Sequence, residues 1–137
     1  MVRAAGAPGR CGVLAAVAGA CVVLTGCSSV QVPEVEEVAT AFEDPAADPR
    51  TRCDLLAPAT LAAFEQDEEA SCAEAIQQVP LGGGGEIESV EIWGGDAQVR
   101  SGGDTLFLTQ TRAGWRVTAA ACESRGEAPY ECGVEGP

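Results

Sequence analysis

Apolar residues recur every three or four positions between residues 33 and 79, and every second position from residue 86 onward. That change of period predicts helices first and strands second. In PEVEEVATAFED, 33–44, Val35, Val38, Ala39 and Phe42 fall at i, i+3, i+4 and i+7 and share one helical face. Pro33 suits a first helical position, and the glutamates behind it complement the helix dipole. DPAADP breaks this helix. Asp48-Pro49 starts another, with Cys53 and Leu56 three apart, and Pro58 restarts the chain toward Leu61 and Phe64. EQDEEA, 65–70, reads as an acidic connector. Ser71 and Glu74 have the spacing of a capping box, which predicts a helix over about 72–79.

GGGG, 82–85, separates the two textures and reads as a flexible connector. It is no phosphate loop, because no Gly-Lys-Ser/Thr follows it. Four alternating runs come next: EIESVEIW, DAQVR, TLFLTQT and WRVTAAAC, with glycine-containing turns between them. Val90 and Ile92 share a face, as do Ala97 and Val99, Leu106 and Leu108, and Trp115, Val117 and Ala119. The expected fold is α+β, with short helices packed on a curled four-stranded antiparallel meander. Residues 123–132 read as a loop and 133–137 as a disordered tail.

The N-terminus carries an address. Arg3 and Arg10 precede the apolar run CGVLAAVAGACVVL, 11–24. Fourteen apolar residues are too few for a transmembrane helix, which needs about 20. The run ends in Leu24-Thr25-Gly26-Cys27, which resembles a bacterial lipobox. That resemblance implies a signal peptide over 1–26, cleavage before Cys27 and diacylation of its thiol. Two acyl chains give stable anchoring where one does not. The expected location is the extracytoplasmic face of a cell membrane, reached through the N-terminal lipid. Residues 28–32 read as a short tether, reaching at most about 20 Å, and 33–132 as a single domain.

Charge narrows the partners. Residues 27–137 hold 21 acids and 6 Arg, and the whole chain has no Lys, His or Asn. A residue usage of this kind points to a high-GC genome. A balance this acidic excludes the basic footprint of a nucleic-acid binder. It also gives the domain no attraction to anionic lipid, so the lipid must do the anchoring. The acids are uneven: 12 against 2 Arg over 28–85, and 9 against 4 Arg over 86–137. They read first as a solvated, solubilising face, and second as a surface for an envelope protein.

Four cysteines remain beyond Cys27: Cys53, Cys72, Cys122 and Cys132. An even count in an exported domain reads as disulfides. Three pairings are open, and the short local loops favour Cys53–Cys72 and Cys122–Cys132. Zinc is a weak alternative, since no C-x-x-C and no His are present.

The helices-then-sheet order resembles the cystatin-like roll, the fold of nuclear transport factor two and ketosteroid isomerase. C-D-L-L at 53–56, S-C-A-E-A at 71–75, G-W-R-V-T-A-A at 114–120 and P-Y-E-C at 129–132 resemble small surface lipoproteins of actinobacteria. The resemblance implies a fold more than a function. Sheets of that superfamily often enclose a conical pocket, and Trp93, Trp115 and Phe107 are the candidate lining, with a filled core as the alternative.

Catalytic chemistry finds few residues. No His is present to move protons near neutral pH, no Lys to form a Schiff base, and no G-x-S-x-G elbow. No Asp-rich glycine-turn loop binds calcium. A buried carboxylate is the remaining route, with Asp54 and Glu123 nearest to expected elements. The expectation is a non-catalytic interaction module without metal or cofactor. The alternative is a carrier or sensor of a small apolar ligand.

Overall fold

The computed structural model describes residues 28–137. Four helices come first: α1 Ser28–Glu43, α2 Pro49–Asp54, α3 Pro58–Glu68 and α4 Cys72–Ala75, the last running into a 3-10 turn at Ile76–Gln78. Five strands follow: β1 Ile87–Trp93, β2 Asp96–Ser101, β3 Asp104–Thr111, β4 Gly114–Arg125 and β5 Ala128–Glu135. They form one open antiparallel sheet in sequence order, β1-β2-β3-β4-β5. The chain is α+β, as its change of period predicts.

Each helix starts where local chemistry allows. Asp48 caps α2 through its side chain, which accepts the Arg50 N–H at 2.8 Å, and Pro49 follows as the first helical residue. Pro58 opens α3 the same way, and Glu69 closes it in a left-handed conformation at φ 51°. The Ser71 hydroxyl donates to the Glu74 carboxylate at 2.6 Å. That bond holds the Glu74 carboxyl below its usual range.

Several boundaries correct the sequence reading. α1 begins at Ser28, so residues 28–32 are helix and not an extended tether. Pro33 lies inside α1 as its sixth described residue, so the helix forgoes the backbone bond that an N–H there would make to the Ser29 carbonyl. Residues 65–68 of the acidic connector belong to α3. The sheet has five strands, not four. β4 runs on to Arg125, Gly126 turns the chain at φ 70°, and residues 128–135 return as β5. Residues 133–135 are therefore strand and not tail, and Val134 is fully buried. Along β5 Tyr130 and Cys132 are half-buried and Val134 fully buried, each between exposed neighbours. Pro129 is tolerated because β5 lies at the sheet edge.

The core lies between the helices and one face of the sheet. Val35, Ala39 and Phe42 of α1 meet Ala97, Val99, Leu106, Leu108, Trp115 and Val117. Phe64 and Ile76 close the same cluster. Leu55 to Ala57 add a short parallel bridge beside Val117, with N–H···O bonds of 2.8 and 2.9 Å. That bridge ties the helical half to the middle of β4. No helix among the described residues is long and apolar enough to cross a membrane.

Candidate functional site

Cysteine pairing follows the shorter loops. Cys53 of α2 is bonded to Cys72 of α4, and Cys122 of β4 to Cys132 of β5. The second bond is a cross-strand staple, because Cys122 and Cys132 are register partners. It closes a hairpin instead of the irregular loop that 123–132 was expected to form. Cys27 lies outside the described residues.

The three candidate pocket residues do not come together. Trp115 is 2 % exposed and fills the centre of the core, so the helix-facing side of the sheet is packed there instead of hollow. Its Nε1–H has no hydrogen-bond partner among the described residues. Phe107 and Trp93 lie on the opposite face. Antiparallel partners share a face, and the register runs Glu91–Gln98–Phe107–Ala119 in one row and Trp93–Asp96–Thr109–Arg116 in the next. Trp93 is 50 % exposed at the end of β1.

On that outer face Phe107 meets Tyr130 edge to face, with ring centroids 5.1 Å apart. The Gln98 amide donates to the Tyr130 hydroxyl at 3.1 Å. Two open depressions flank Tyr130. One, of about 440 Å³, runs between Phe107, Ala119, Pro129 and the start of α3 at Ala59 and Thr60. The other, of about 550 Å³, is lined by Arg100, Ser101, Asp104, Thr105 and Glu123. Tyr130 is the wall they share. The surface is thus mixed, aromatic at its middle and charged at its edges. It can receive a partner's apolar side chain or a small apolar molecule. Among the described residues no group of three or more His, Cys, Asp or Glu could hold a metal ion.

The buried carboxylates are not the two the sequence pointed to. Asp54 and Glu123 are exposed. The buried acids among the described residues are Glu43, at the end of α1, and Asp104, at the start of β3. Glu43 Oε2 accepts the Ser101 hydroxyl at 2.6 Å. Asp104 accepts the N–H groups of Thr105, Cys122 and Ala121 at 2.6, 3.0 and 3.2 Å. Burial pushes the Glu43 carboxyl up to about 7, the Ser101 hydroxyl opposes this, and the neighbouring Asp104 adds to it. A signal for both acids was present. Glu43 stands four residues after Ala39 on the apolar face of α1, and Asp104 alternates with Leu106 and Leu108. Gly82 packs against them: a Cβ there would lie 2.7 Å from Asp104 Cβ and 3.1 Å from Glu43 Oε1. It is a packing position and not the flexible joint that GGGG was expected to be.

No family model, curated protein or solved structure matches this chain.

Proposed function

We propose that this protein is an exported lipoprotein, cut before Cys27 and lipidated there. Its domain then works at the outer face of a cell membrane as a small, non-catalytic interaction module. The observation that carries the reading is that all four cysteines beyond Cys27 are joined in two disulfides. Such bonds persist in oxidising, extracytoplasmic compartments. The lipobox-like Leu24–Cys27 and the apolar run before it support the anchor. Residues 28–32 are helical, so in this reading the segment after Cys27 is not an extended stalk. The cystatin-like roll of small actinobacterial lipoproteins is part of this reading, supported by the order of helices before an antiparallel sheet.

The proposed docking surface is the outer sheet face around Phe107, Tyr130 and Gln98, and the partner is an envelope protein. Half-buried aromatics bordered by polar residues suit an interface, where aromatics are enriched. The buried acids serve the fold, because they face backbone amides and Ser101. A second reading, an apolar-ligand carrier, is favoured by one feature: Ala57, Ala59, Phe107, Ala119 and Pro129 line the depression beside α3.

The test uses the full chain in its producer, with a photo-crosslinking amino acid at position 107. A discrete adduct of protein mass supports the module. An adduct of a few hundred daltons moves the function to the carrier. No adduct from position 107, with efficient labelling from an exposed control position on α1, overturns the docking surface. In parallel, Cys27→Ala should accumulate as uncleaved, unlipidated precursor. Normal acylation of that variant overturns the anchor.

A further inference from the structure

Glu43 and Asp104 are 1 % and 5 % exposed, and among the described residues no cation pairs with either. The only ion pair among those residues joins Arg125 to Glu131. The other charged groups at this corner are Asp44 beyond α1, Arg52 of α2, whose guanidinium donates to the Asp44 carbonyl, Glu86 just before β1, and Glu88, Arg100 and Glu123 beside Asp104. Two buried carboxylates without a counter-charge cannot both stay ionised.

The hydrogen-bond inventory says where a compensating proton sits. Both Asp104 oxygens are already acceptors, serving three backbone N–H groups. On Glu43, Oε2 accepts from Ser101, while Oε1 is buried with no partner among the described residues. An oxygen in that position is satisfied when it carries the proton and donates it. Gly82 brings the two side chains together, since its missing Cβ would touch both.

We infer that Glu43 carries a proton in this corner, and that this proton locks the end of α1 to the β2–β3 turn and to the kink in β4. The kink is at Ala121, a non-glycine residue at φ 53° whose N–H is held by Asp104. It adjoins Cys122, whose disulfide partner Cys132 lies two residues from Tyr130. Losing the proton sets two charges against each other at the junction of helix, turn and kink. The loosening should reach Gly82, Ala121 and Cys122 first. The lock closes in acid and opens toward alkaline pH, which gives this domain a pH-dependent stiffness behind its outer face. This inference stands apart from the docking role proposed above.

The test is a carboxyl-carbon NMR titration of the full, oxidised chain, with amide exchange at pH 6 and pH 8.5 corrected for intrinsic rates. The Glu43 midpoint is expected near 7 instead of the ordinary 4.5. Exchange at Ala121 and Cys122 is expected to rise at least tenfold more in the wild type than in Glu43→Gln. The amide introduced by that substitution keeps the donor and the acceptor of a protonated Glu but cannot ionise. A wild-type midpoint below 5.5 overturns the proton on Glu43, and needs no variant to fold. Equal exchange changes in wild type and Glu43→Gln overturn the lock. A midpoint that falls by a full unit when calcium replaces EDTA assigns the corner to a cation and also overturns it.

Discussion

Phe107 and Trp115 stand on neighbouring strands of one sheet and end in opposite surroundings. Trp115 points to the helices and is enclosed by the core. Phe107 points away and packs on Tyr130 beside an open depression. Nothing in the two side chains explains this, since both are large and apolar. The pleat explains it, because successive residues of a strand face opposite sides. The same aromatic content therefore fills a core on one side and leaves a surface to bind on the other.

The largest effect that can break this comparison is on stability. Trp115→Ala should cost about 3–5 kcal/mol, as large-to-small core changes do, while Phe107→Ala should cost about 1 kcal/mol. Urea unfolding of both variants reads the difference. Equal losses would mean that the outer face is as much core as the inner one.

The disulfides sharpen it next. Removing Cys53–Cys72, which spans 19 residues, or Cys122–Cys132, which spans 10, should each cost about 3 kcal/mol in the loop-entropy account. The β4–β5 bond should fall short of that value, because strand pairing already closes its hairpin. Paired Cys→Ala variants measured by thermal unfolding compare them. A larger loss from the β4–β5 pair would show that the outer face depends on its staple more than on its strands.

The buried acids give a pH-dependent term of similar ceiling. The folded Glu43 carboxyl is raised to about 7 from 4.5, so the folded state holds more protons than the unfolded one between those values. Its stability is full below pH 4.5, falls as pH rises toward 7, and is then lower by at most about 3 kcal/mol. Glu43→Gln should remove this slope and leave the contribution of the surface acids. Parallel slopes in the two proteins would disconnect the corner from stability.

The smallest effect is expected at Trp93, half exposed at the end of β1. Trp93→Ser should change stability by no more than about 0.5 kcal/mol. A larger loss in chemical denaturation would extend the structural role of the outer face to its first strand.

Much of this was legible in residue order. The period-3.6 stretch became α1 to α4, and the four alternating runs became β1 to β4. Two short loops anticipated both disulfides. β5 was not legible, because Pro129 and the glycines around it resemble a loop until strand pairing supplies the partner. The buried acids were legible in position but not in composition. Glu43 sits on the apolar face of its helix, and composition counts it with the surface acids that it does not join.

By itself the sequence determined the apolar run at 11–24, the order of helices before strands, the acidic balance and the absence of His and Lys. These are local or additive properties, and they survive any arrangement of the chain. Only the tertiary structure decided which aromatic is core, which carboxylates are buried together, and that a glycine connector packs against them. Those depend on residues far apart in the chain, such as Glu43, Ser101 and Asp104, or Trp115 and Phe42. Their meeting is set by strand register and helix placement.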